Sequence, residues 1–178
     1  MNYRIETIRK EEYPGDDSWE KATKIEFGCG QWYYLYINDQ LVLGVENCNC
    51  FFSEAIVFHD YLLLGDYYQG VHVINLIDFS VKNDIRVDGY FGYFVVDRDT
   101  LYVLGQRNIM AFGSDLDLLW KTVNIAVDGV VFKSTEGDTM TVKCLHEPMS
   151  EKWEDAKISL SDGRLISGRH YITYYENL

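Results

Sequence analysis

Two stretches of this chain repeat each other, and that repeat restricts the fold more than any other feature. The first, AIVFHDYLLLGDYYQGVHVINLIDFSVKNDIRVDG, runs from Ala55 to Gly89. The second, YFVVDRDTLYVLGQRNIMAFGSDLDLLWKTVNIAVDG, runs from Tyr93 to Gly129. Each opens on an apolar run, turns at acidic residues, continues through LLLG or YVLG and closes on VDG. A unit of about forty residues that divides into short strands is the spacing of stacked or radially arranged β-meanders. The expected fold is all-β. It consists of antiparallel meanders with blade-like repeats in an open or closed stack of sheets, either propeller-like or a β-sandwich or barrel.

The rest of the chain fits the same reading. Tyr3, Ile5 and Thr7 alternate with polar residues as in a short strand, and Pro14-Gly15 breaks the pattern. SWEKATKIEF can begin as one helical turn with Ser18 as N-cap. WYYLYI and LVLGV flank Asn38-Asp39, a hairpin signal, and WYYLYI is apolar on both faces, which predicts burial on both. Residues 24–54 form a degenerate unit. After Val130, the turn signals Glu136-Gly137-Asp138 and Ser161-Asp162-Gly163 divide a third unit, residues 130–178. In the first repeat, DFSVKNDIRV is a fourth strand or a loop. At 178 residues the whole is expected to be one domain, 1–178.

LYVLGQRNIMAFGSDLDLLWKT, residues 101–122, resembles the blade of quinoprotein-like and WD-type propellers. The likeness lies in two short strands around a Gly turn, an acidic turn at Asp115 to Asp117, and LLW ending at Trp120. It implies that Trp120 packs between adjacent blades. The dense Gly, Asp and Thr turn set of a full quinoprotein is missing, so the resemblance implies no quinone cofactor. WKTVNIAVDGVVFKSTEGD is similar to a segment of small uncharacterised bacterial β proteins, a likeness that implies no activity.

Charge narrows the partners. The formal net charge is −12, and residues 24–100 hold four Lys or Arg against eleven Asp or Glu. Such a surface opposes nucleic acid and anionic lipid, whose phosphates need cations. It suits a basic protein partner and would steer one in. No apolar run approaches the roughly eighteen residues of a membrane span, and MNYRIETIRKEE lacks an apolar leader core. The expectation is a cytoplasmic protein.

Local signatures of catalysis are missing. Cys29, Cys48, Cys50 and Cys144 are read as free thiols, and the Cys48-Cys50 pair would need further ligands to hold a metal. His59, His72, His146 and His170 form no HExxH or HxH pattern. There is no GxSxG elbow, and Gly28-Cys29-Gly30 lacks the spacing of a phosphate loop. No catalytic, cofactor-binding or metal-binding residue is therefore assigned.

What remains is aromatic and acidic together. Trp32, Tyr34, Tyr36, Asp60, Asp66, Tyr67, Tyr68, Tyr90, Asp97 and Asp99 form the candidate interaction surface, since Tyr and Trp join apolar area to a polar tip. The expected function is a non-catalytic bacterial interaction module, in one version an immunity-type inhibitor of a basic toxin or effector. The alternatives are a small-ligand or carbohydrate-binding β module, with Trp32 and Tyr68 as platforms, and a hydrolase with dispersed site residues. Repeats with an unpaired edge tend to find another copy, which makes a homodimer a further expectation.

Overall fold

The computed structural model describes residues 2–8, 17–28, 31–47, 53–68 and 70–170. It is all-β, with four sheets rich in antiparallel pairs, none of them closed. Backbone contacts gather into two compact units, Met1–Ile85 and Arg86–Leu178. No helix among the described residues is long and apolar enough to cross a membrane.

In the first unit, β1 (Tyr3–Ile8) is followed by the helical turn α1 (Asp17–Lys21), β2 (Thr23–Glu26), β3 (Gln31–Ile37) and β4 (Gln40–Asn47). These strands form one sheet in the order β1-β3-β4-β2, in which β2 runs parallel to β4. The helix starts one residue before Ser18, the expected cap. Asn38 and Asp39 both carry positive φ, 49° and 63°, the signature of a type I′ hairpin. β3 is buried on both faces, as its composition predicts. Tyr33 and Leu35 face one core, while Trp32 and Tyr34 face another beneath Trp19 and Ala22. Trp19 meets Trp32 and Tyr34 edge-on, with ring centroids 5.1 and 5.2 Å away. Gly44 makes room for it: a Cβ there would lie 2.3 Å from Trp19 Cζ3.

A second sheet completes this unit: β5 (Glu54–Phe58), β6 (Tyr61–Asp66) and β7 (Gly70–Asn75). Leu62, Leu64, Ile74 and Leu76 meet Tyr33, Leu35, Leu43 and Val45 of the first sheet. Each such side chain, fully buried, contributes roughly 1.5–3 kcal/mol. The fourth-strand-or-loop segment resolves as two isolated bridges, Ile74↔Val81 and Val71↔Ile85. Asp and Asn interrupt its apolar pattern, so its backbone pairs with β7 only at these two bridges.

The second unit holds two four-stranded meanders. One is β8 (Phe91–Asp97), β9 (Thr100–Gly105), β10 (Ile109–Phe112) and β11 (Leu118–Lys121). The other is β12 (Val130–Glu136), β13 (Thr139–Glu147), β14 (Lys152–Ser159) and β15 (Leu165–Ser167), turning at the two signals expected from sequence. Their shared core includes Tyr102, Leu104, Ile109, Trp120, Met140, Val142, Cys144 and Ile158. Trp120 lies in that core and donates from Nε1 to the Leu160 carbonyl at 2.7 Å.

One local device recurs in all four sheets. A two-residue hairpin ends in Asp and its first residue has positive φ: Asn38-Asp39 (49°), His59-Asp60 (50°), Arg98-Asp99 (56°) and Gly137-Asp138 (57°). The short Asp side chain suits such turns because it can bond its own backbone.

Candidate functional site

The ten residues of the expected surface do not gather in one place. Trp32 and Tyr34 are a correction: they are 4% and 0% exposed, packed beneath Trp19, and present no area to a partner. Their burial follows from α1 covering the outer face of β3. Tyr36 is half-buried, with the Arg4 guanidinium 4.0 Å above its ring. Asp60 is exposed on the β5–β6 hairpin.

Asp66 lies at the opposite end of β6, 1% exposed, and accepts from the Tyr68 backbone N–H at 2.8 Å. Its charge adds to the burial that pushes the Tyr33 hydroxyl up. Tyr67 and Tyr68 pack edge-on, and Tyr68 is 70% exposed. In the first unit, therefore, the candidate residues divide between the two ends of the strands.

The second unit does assemble an acidic group. Asp97 and Asp99 flank Arg98 on the β8–β9 hairpin. Arg98 Nη2 donates to the Gly137 carbonyl at 3.1 Å, which holds the β12–β13 hairpin alongside. Asp99, Glu136 and Asp138 are exposed and Asp97 is partly so. Arg98 Nε stands 3.8 Å from Asp97 Oδ2. Carboxylates carried on two neighbouring tips favour a cationic partner.

At the other end of this unit lie the two VDG closures. Gly89 and Gly129 carry φ of 90° and 144°, a region that suits glycine, and a Cβ on Gly89 would meet the Gln106 side chain at 2.1 Å. The two aspartates differ. Asp88 is ion-paired to Lys121 at 2.8 Å. Asp128 Oδ1 accepts from Gln106 Nε2 at 3.0 Å and from the Tyr90 hydroxyl at 3.3 Å, and that hydroxyl also reaches the Asp128 carbonyl at 2.8 Å. Tyr90 thus acts as a brace for Asp128. Beside Gly129 stands Trp153, 39% exposed, with Cη2 3.3 Å from where a Gly129 Cβ would be. Trp153 belongs to no motif in the sequence. Its alternation with Asp155 and Lys157 in KWEDAKIS is the signal that puts it on the solvent face.

Of the groups with chemical potential, Cys144, His72 and His146 are enclosed. Burial pushes the Cys144 thiol up to about 12, with Asp155 and Glu154 adding to it, so it is not an activated nucleophile. Cys29, Cys48 and Cys50 lie outside the described residues. His72 Nδ1 is 2.9 Å from Asp84 Oδ1, its ring stacks on Phe27 at 3.9 Å, and it is 2% exposed. His146 is buried, and burial lowers its pKa. His59 and His170 are exposed. Among the described residues, no group of three or more His, Cys, Asp and Glu is placed to hold a metal ion.

An open cleft of about 460 Å³ lies between α1 and the β3–β4 hairpin, lined by Ser18, Lys21, Tyr36, Asp39, Gln40 and Leu41. Compared with known proteins, the chain matches no protein-family model and no curated protein.

Proposed function

We propose that this chain is a non-catalytic interaction module of the bacterial cytoplasm that binds a basic protein through its acid-tipped hairpins. An immunity-type inhibitor of a basic toxin or effector is the specific form of this reading. The observation that carries it is the Arg98–Gly137 bond, which groups Asp97, Asp99, Glu136 and Asp138 on two neighbouring tips. The forty-residue repeat and its matching hairpins support a blade-like, propeller-type reading of the sheets, with a homodimer as the accompanying assembly.

A pull-down with the full chain at low and moderate salt tests the function. The expected result is one basic protein, lost as salt rises and lost with the variant Asp99→Asn, Glu136→Gln, Asp138→Asn. Recovery unchanged by that variant would overturn the reading. The cleft beside Tyr36 favours a second reading, a small-ligand module. Half-exposed aromatic area and the convergent polar groups of Ser18, Lys21, Asp39 and Gln40 suit a polar small molecule there. A thermal-shift screen in which Gln40→Leu abolishes a hit would support it.

A further inference from the structure

Trp153 and Asp128 together form the strongest unassigned feature of the second unit. Tryptophan is seldom left with so much area in water, and here one edge of the indole lies against Gly129. Val127 and Asp128 both donate backbone N–H groups to the Leu145 carbonyl, at 2.9 and 3.1 Å, and Leu145 N–H donates to the Gly129 carbonyl at 3.0 Å. Leu145 is in turn the register partner of Trp153. Gly129, Leu145 and Trp153 therefore lie in one row across the sheet, and the ring reaches along that row to Gly129. A side chain at 129 would crowd the indole, and the φ of 144° disfavours one as well.

The carboxylate beside this ring is held by two donors. Asp128 is partly exposed, and both donors it receives, Gln106 and the Tyr90 hydroxyl, go to Oδ1. The same hydroxyl is 3.6 Å from the Gly129 Cβ position that Trp153 approaches, so indole, hydroxyl and carboxylate share one neighbourhood. Among the described residues no Lys or Arg pairs with Asp128, whereas the corresponding Asp88 is satisfied by Lys121. Lys152, next to Trp153 in the strand, is ion-paired with Glu154 at 3.7 Å. An aromatic face next to a pre-oriented, uncompensated carboxylate recognises a planar cation: the ring attracts it through its quadrupole, and the carboxylate accepts its N–H groups.

We propose that Trp153 and Asp128 form an anchor site for a guanidinium group, an arginine side chain of the basic partner. The inference rests on the basic-partner reading and names the residue type that the partner inserts. Arginine fits better than lysine because its guanidinium stacks on an aromatic face and offers a flat fork to a carboxylate at once.

The test uses the full chain and N-acetyl-arginine amide as probe, with N-acetyl-citrulline amide as its neutral, isosteric control. Indole N–H signals are followed by NMR, and the Trp153 signal is identified by its loss in Trp153→Phe. The expected result is a saturable shift of that signal with the arginine probe and little with citrulline. Asp128→Asn should weaken binding about tenfold, the cost of losing a charge-assisted bond. Asp88→Asn should leave it unchanged. An equal response to citrulline, no response to arginine, or an unaffected Asp128→Asn would overturn the proposal. If Asp128→Asn loses spectral dispersion, calorimetry on Trp153→Leu decides, and undiminished binding there overturns the site. The hairpin-tip variant of the pull-down keeps both anchor residues, so the two ideas fail separately. A salt-sensitive capture without arginine binding removes only the anchor.

Discussion

Trp120 packs its ring directly on Gly163: a Cβ added at that glycine would lie 2.5 Å from Trp120 Cε3. The indole is tied in place by its bond to the Leu160 carbonyl, so it has little freedom to retreat. Gly163 also holds φ at 71°. Gly163→Ala should therefore destabilise the second unit by roughly 1–3 kcal/mol, through overpacking and backbone strain together. Urea unfolding followed by tryptophan fluorescence reads this as a lower midpoint at unchanged slope.

Cys144 is a sensor of unfolding. Its thiol is fully buried and pushed up to about 12, so the reactive thiolate is almost absent at neutral pH. Peptide mapping after iodoacetamide treatment should find Cys144 unmodified in the native chain and alkylated in denaturant. Rapid modification without denaturant would contradict its placement.

His146 sets a limit on the acid side. Burial lowers its pKa, and Arg169 acts in the same direction, while Glu154 and Glu147 oppose. The folded state thus prefers the neutral ring. Its contribution is complete above the unfolded value of 6.5 and is lost as pH falls below it, because the unfolded chain then binds the extra proton more readily. Between pH 7.5 and 5.5, the wild-type chain should lose more stability than His146→Leu. Parallel pH profiles for the two proteins would refute the assignment.

The His72–Asp84 contact adds a side-chain tie, next to the Ile85 bridge, to a segment that backbone bridges hold at Val81 and Ile85. Asp84→Ala should loosen residues 80–85 without melting the sheet beneath. Hydrogen exchange at the Lys82 and Ile85 amides, which donate to Val73 and Val71, should accelerate about tenfold, while that at Leu63 and Val73 stays slow.

Much of the fold is legible in the sequence because its signals are local. Alternation and turn residues mark the hairpins at Asn38-Asp39 and Gly137-Asp138, and the repeat marks the strands between them. Long-range choices are not written that way. Parallel pairing of β2 on β4 joins residues about twenty apart with no periodic sign. The burial of Trp32 and Tyr34 depends on where Trp19 lands, and Gly44, which admits it, reads in sequence as an ordinary strand glycine. The candidate surface divided for the same reason. Composition counts acids and aromatics along a chain, while strand direction sends Asp60 to one end and Asp66 to the other. The tips of the second unit were partly legible through Asp97 and Asp99; Glu136 and Asp138 joined them only through the Arg98 bond.

The shared geometry of the four hairpins has a consequence for how such a molecule diversifies. Each tip is only two residues long, and the strands beneath it set its register. Apart from Arg98, whose guanidinium ties two tips together, the tip dipeptides are constrained chiefly by backbone sign. A tip can therefore change, one pair at a time, while the strands that carry it keep their pairing.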